Sequence, residues 1–240
     1  MTPTVAVPAM LNFQVRGQWV TRQVMFIGID PNTHAQVSDF SRYLQHPANR
    51  QQLSFDLREG GYDTIDSQNP TEIPTRPALE HAGWPHRRMR VNRERLWKER
   101  LDSKKSTENS AARSVDQQVD AVLAATSPDG NSSEISSETV DTNEKRTNPF
   151  QKARPNQGHV MDLTKEQFTG IVPGIGLASF RNRQGVDQFL SLPGDDVKIT
   201  FPTAGTPPKA VSDNFTIVDF YESKMSEYDS NFVFVPIDAL

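Results

Sequence analysis

The residues with most chemistry to offer fall into four groups. Gly174-Ile175-Gly176 is half of a dinucleotide fingerprint, in which glycines let the backbone approach a pyrophosphate at a helix N-terminus. Ser179 stands where a further small residue would belong, and no acidic residue ends a second strand about 20 residues on, so the glycines read as a tight turn before a helix. Asp195-Asp196 is a pair of carboxylates that a hard cation could use, but Pro193-Gly194-Asp195-Asp196 is also ordinary turn composition ahead of a strand. The histidines, His34, His46, His81, His86 and His159, show no i,i+4 pair, the spacing that places two imidazoles on one helix face around a metal.

The fourth group is basic. Arg87, Arg88, Arg90, Arg93, Arg95, Lys98 and Arg100 interleave with Trp84 and Trp97, a pattern that suits an anionic surface and equally a solvated helix answered by the acidic tract after Glu108. Neither a Gly-x-Ser-x-Gly elbow nor a Gly-x-x-x-x-Gly-Lys phosphate loop is present in the sequence. The expected assignment is therefore a protein that is not an enzyme, with no catalytic, metal-binding or cofactor-binding residue.

Composition narrows the class further. The 240 residues carry 26 Lys and Arg against 30 Asp and Glu, so no global basic excess exists to hold a phosphate backbone, and nucleic acid is not an expected partner. With 35% hydrophobic residues and a mean hydropathy of -0.62, the chain is lean for a single packed core. The absence of cysteine excludes disulfides, thiolate metal sites and a cysteine nucleophile. No stretch approaches the roughly 18 consecutive apolar residues of a spanning helix.

The elements that would position these groups are mostly strands. Leu11, Phe13 and Val15 alternate with polar neighbours, Arg16-Gly17-Gln18 reads as a turn, and Trp19 to Ile29 forms a second strand ended by Asp30-Pro31-Asn32, which predicts a β-hairpin over residues 3–29. From Gln51 the texture is irregular, with one short helix predicted around Arg87 to Arg100. Between Asp102 and Pro149 there is no Phe, Trp or Tyr, so this segment buries too little apolar surface to offset its ordering entropy and is expected to be largely disordered, with a transient helix over Val115 to Ala125. Order is expected to return near Gly158, with a short helix from Ile175 to Asn182 and a half-buried strand through Val197, Ile199 and Phe201. After a proline-rich loop from Pro202 to Val211 come a strand from Phe215 to Tyr221 and a central one from Phe232 to Ile237, apolar on both faces. The predicted fold class is α+β, a mixed or antiparallel sheet with a few short helices.

Two stretches carry a resemblance. Gln23-Val24-Met25-Phe26-Ile27-Gly28-Ile29-Asp30-Pro31 and the segment from Phe215 to Pro236, FTIVDFYESKMSEYDSNFVFVP, resemble the periplasmic core domain of MacB-type and FtsX-like ABC transporter permeases, most of all the lipoprotein-releasing Lol permeases. Residues 170–200 fit the same pattern of a Gly-rich strand-to-helix turn, a short helix and a Gly-Asp turn into a strand. The resemblance implies a MacB-like core in two parts, 1–50 and 156–240, around an insertion at 51–155 that is largely disordered from about 102 to 150. It implies membrane helices before and after this chain, which is then a piece of a longer protein on the periplasmic side of the bacterial inner membrane.

The activity so implied is mechanical: ATP hydrolysis by a separate cytoplasmic ATPase subunit is coupled to lipoprotein release or export of a lipophilic cargo. Further implied partners are a second permease subunit and a periplasmic carrier or lipoprotein cargo. In the carrier-binding Lol permease a protruding hairpin grips the carrier; here Pro202, Thr203, Thr206, Pro207, Pro208 and Lys209 occupy that place in a shorter loop, the candidate partner contact. The alternative is a free-standing periplasmic or surface protein-interaction module.

Overall fold

The computed structural model describes residues 3–15, 17–34, 37–66, 74–124, 161–203 and 205–240, those of 105–124 by their backbone alone. His159 and the stretch 125–150, where disorder is expected, lie outside the described residues. The chain divides into two units, Met1–Arg93 with Asp162–Leu240, and Glu94–Met161.

In chain order the elements are β1 (Thr4–Val15), β2 (Gln18–Ile29), α1 (Pro47–Gln51), α2 (Trp84–Ala124), β3 (Thr169–Pro173), α3 (Ile175–Ala178), β4 (Ser179–Arg181), β5 (Asp187–Phe189), β6 (Asp196–Pro202), β7 (Ala210–Ile217), α4 (Ser226–Asn231) and β8 (Phe232–Pro236). β1 and β2 form the predicted hairpin, in register from Thr4↔Ile29 to Val15↔Gln18, and Gly17 takes the left-handed φ of 84° that the turn requires. Six strands close into a barrel in the order β1-β2-β8-β3-β7-β6, while β4 and β5 make a separate ladder. Pairing is mixed: β2 with β8 and β3 with β7 are parallel, and the other ladders are antiparallel. The fold is therefore α+β around a mixed sheet, closed into a barrel.

Alternation explains the barrel. Ala9, Leu11 and Phe13 of β1, Val24 and Phe26 of β2, Val197 and Ile199 of β6, and Val233 and Val235 of β8 are buried in one cluster with Ile171, Phe215 and Ile217. β8 lies between β2 and β3 and is buried on both faces, as its unbroken apolar run predicts, because Phe234 points outward into a second cluster with Ile29, Phe40, Leu44, Leu53, Phe55, Leu57, Val172 and Val218. Residues 40–57 thus cover the outside of the barrel, and residues up to Arg93 belong to the same unit as the strands.

Three local expectations need correction. The short helix expected around Arg87 to Arg100 is continuous from Trp84 to Ala124, a run with Pro85 in its first turn and then neither Pro nor Gly to break it. The helix expected from Ile175 to Asn182 stops at Ala178; the next three residues are extended and pair with β5, where Arg181 donates to Asp187 at 2.8 Å. The strand expected from Phe215 to Tyr221 begins earlier, at Ala210, and ends at Ile217.

Candidate functional site

The loop singled out in the sequence sits beside an opening in the barrel wall. β1 and β6 pair only over Met10–Asn12 and Lys198–Thr200. Continued by two residues, that register would set Pro8 against Pro202, and neither has an N–H to donate, so the ladder stops there. Between the diverging strands lies a groove of about 530 Å³, with Pro8, Ala9 and Met10 on one wall, Thr200, Phe201 and Pro202 on the other, and Gln23, Pro208, Lys209 and Ala210 completing the lining. Phe201 of the wall is backed by the core: its ring lies 5.7 Å from that of Phe26, which lies 5.4 Å from that of Phe215.

The turn closing this groove is internally bonded. Thr203 N–H donates to the Lys209 carbonyl at 2.8 Å, and Lys209 N–H donates to the Thr203 hydroxyl at 3.0 Å. Pro202, Thr203, Thr206, Pro207, Pro208 and Lys209 therefore form one structured turn, with a cis bond at Thr206-Pro207. Pro202, Pro208 and Lys209 line the groove; Thr203, Thr206 and Pro207 lie outside its lining. Among the described residues Lys209 is the only ionisable group in the lining, and the groove's shape and composition suit an apolar segment beside one cation.

Elsewhere the candidate residues have structural employment. Asp196 accepts from Arg87 and Arg90, each at 2.5 Å, and Asp195 contacts His86 Nε2 at 2.8 Å, so the paired carboxylates are engaged by cationic side chains and imidazole. Burial works against the charge on Asp195, yet the His86 hydrogen bond and positive field, with the Leu192 N–H, hold its carboxyl below the usual range. Gly174 and Gly176 pack against α4: a Cβ on Gly174 would overlap the Asp229 carbonyl, and one on Gly176 would lie 2.8 Å from Ser230 Oγ. Gly174→Ala is thus expected to lose about 2–4 kcal/mol in urea unfolding, with no binding of a dinucleotide to the parent protein; wild-type stability in the variant would remove the packing explanation.

The sequence did not disclose that three acids of the stretch from Phe215 to Pro236, Asp219, Glu222 and Asp229, are buried. Asp219, with no exposed surface, accepts from Gln45 N–H at 3.1 Å, His46 N–H at 3.2 Å, Asn49 Nδ2 at 2.7 Å and Phe220 N–H at 2.8 Å. Burial pushes its carboxyl up to about 6 against the pull of those donors. Glu222 receives the Arg76 guanidinium at 2.7 Å and Lys224 Nζ at 2.7 Å. Arg76, wholly buried, also donates to Asp187 at 2.9 Å and Gln45 Oε1 at 2.5 Å, and Lys224 also binds Asp66. Met225 and Tyr228 are 51% and 39% exposed and line a smaller aromatic recess with Tyr43, Tyr221 and Phe232.

No protein-family model matches the chain, and no curated protein proves similar to it. What the described residues define is a mixed barrel with a largely apolar groove beside one lysine. Among the described residues, no helix is long and apolar enough to cross a membrane.

Proposed function

We propose that this chain is the extracytoplasmic domain of an ABC transporter permease, on the periplasmic side of the bacterial inner membrane, coupling ATP hydrolysis by a separate subunit to lipoprotein release or export of a lipophilic cargo. The observation that supports it best is the β2–β8 ladder, in which Met25 pairs with Phe232 and Ile29 with Pro236. The two sequence stretches that resemble such permeases are neighbours in one parallel pair, as parts of one core would be.

Geometry adds a second support. Ile29 is flanked by Thr4 on one side and Pro236 on the other, so the chain enters and leaves the barrel at the same end. A domain strung between two membrane helices must receive and return its chain on the side facing the membrane. In this reading the ATPase and a second permease subunit are reached through those helices, and the groove beside Pro202, Pro208 and Lys209 meets the carrier or cargo, whose apolar groups its lining fits.

Affinity purification from membranes of the source cells, with the tag placed on the native gene product, tests this. Co-purification of a nucleotide-binding ATPase subunit is the expected result. Recovery of the protein from the soluble periplasmic fraction with no ATPase would overturn it in favour of a free-standing interaction module.

A further inference from the structure

The aromatic recess, of about 250 Å³, shares no lining residue with the groove beside Pro202. Its rings come from four places in the chain: Tyr43 from the turn before α1, Tyr221 from the stretch after β7, Tyr228 from α4, and Phe232 and Phe234 from β8. They stand steeply to one another, at 68° for Tyr43 and Tyr221, 59° for Tyr221 and Phe234, 87° for Phe232 and Phe234, and 52° for Tyr228 and Phe232. Parallel rings would stack and close the space; rings at these angles form the sides of a box. Tyr228, 39% exposed, leaves it open to solvent.

An aromatic box alone would take any apolar group, and charge makes the choice. Asp229 is 6% exposed and accepts from the Ser223 N–H at 2.7 Å and the Ser223 hydroxyl at 2.9 Å, yet among the described residues no Lys, Arg or His pairs with it. Ser223 is part of the recess lining. Burial raises the Tyr221 hydroxyl above its ordinary range, the Ser223 hydrogen bond opposes this, and the Asp229 charge adds to it, so that charge is felt at the rings. Glu227, exposed and next to Tyr228 on α4, also has no ion pair among the described residues. The nearby cations are engaged elsewhere: Lys224 with Asp66 and Glu222, and Arg42, over the Tyr43 ring at 5.5 Å, with Asp39 at 3.8 Å. Uncharged rings backed by unanswered acids attract a cation. An ammonium bearing N–H groups would set donors against ring carbon, whereas a quaternary one has no donor to satisfy and meets the rings with its methyl groups.

We infer that the recess walled by Tyr43, Tyr221, Tyr228, Phe232 and Phe234 binds a quaternary ammonium group, held by the rings and by the negative charge of Asp229 and Glu227. This site is independent of the permease reading, since it involves neither the ATPase nor the groove.

Titration of the full chain with choline, followed by the proton resonances of the tyrosine rings, tests it. Choline is expected to shift them saturably, and 3,3-dimethylbutanol, its uncharged carbon counterpart, should bind at least tenfold more weakly. Tyr228→Leu and Asp229→Asn should each weaken choline binding about tenfold, the second without changing the response to dimethylbutanol. Asp229→Asn keeps an acceptor for Ser223, and Tyr228→Leu, at a partly exposed position, keeps the test decisive should the buried substitution unfold the chain; circular dichroism shows which variants are folded. Phosphatidylcholine vesicles distinguish the source of the group: retention of the chain on them assigns a lipid headgroup, and choline binding without retention assigns a free solute. Absence of choline binding, equal binding of dimethylbutanol, or parental choline affinity in folded Tyr228→Leu would each overturn the inference.

Discussion

Arg76→Met is expected to lose about 3–5 kcal/mol of unfolding free energy, because it strands buried carboxylates without their cation. Arg76 shows no exposed surface, and its guanidinium joins Asp187, Glu222 and Gln45, residues brought from β5, from the stretch after β7 and from the segment before α1. A charge so placed repays its own desolvation only through those partners, so removing it leaves Asp187 and Glu222 as acids in a dry site, with Arg181 and Lys224 as their remaining cations. Replacing Arg76, Asp187 and Glu222 together by apolar residues should recover part of the loss, since no uncompensated charge then stays inside. Urea unfolding of the three proteins decides the matter. A cost below about 1 kcal/mol for Arg76→Met would mean that the cluster is not what fastens these segments to the barrel.

The second large effect is at Asp219. Asp219→Ala removes the acceptor from Gln45, His46, Asn49 and Phe220 donors at once, and a loss of about 4 kcal/mol or failure to fold is expected. Asn49 also anchors the Arg58 guanidinium at 2.7 and 2.9 Å, so the damage spreads to the segment that covers the outer face. Asp219→Asn is milder and isolates the titration. The folded carboxyl, raised from 3.8 to about 6, binds its proton more tightly than the unfolded chain does. Its stabilising contribution is therefore fully present below pH 3.8 and is lost as pH rises through about 6. Wild-type stability measured relative to Asp219→Asn should fall by about 3 kcal/mol across that window. Asp187 and Asp195, whose carboxyls are held low, drive the opposite trend but do so in both proteins and cancel in the difference. A flat difference curve would show that the carboxylate's donors offset the cost of burial in full.

Much of the strand content is legible in the sequence because each barrel strand has one face in the core. Leu11 and Phe13, or Val197 and Ile199, announce that face by alternation, and Gly17 announces the turn between β1 and β2. Partnership is another matter. Nothing local in Met25 or Phe232 says that they meet, since a parallel pair needs a long connection and its register is fixed only when the whole barrel closes. The end of α3 at Ala178 is likewise set from outside, by the pairing of β4 with β5. The absence of aromatic residues after Asp102 predicts little burial, but burial is not what continues a helix: a run free of Pro and Gly suffices for the backbone as far as Ala124.

Of the candidate site, the proline-rich turn is legible and its groove is not. Pro202 identifies a strand end by itself, whereas its standing opposite Pro8 depends on a register between residues far apart in the chain. The buried acids were hidden for a related reason. Asp219, Glu222 and Asp229 look like ordinary surface residues until the donors that surround them, the Gln45 and His46 amides, Arg76, and the Ser223 amide, are brought in by folding.

The position of Thr4 and Pro236 on either side of Ile29 also decides how the barrel would respond to a tug on its two ends. Drawn apart sideways at that shared end, β1 and β8 would peel from β2 one hydrogen bond after another, the zipper geometry in which each bond bears the load alone. Such a barrel yields at small lateral forces and resists only when both ends are pushed or pulled together. Displacement of the two connections in step would move the whole body and leave both ladders unloaded.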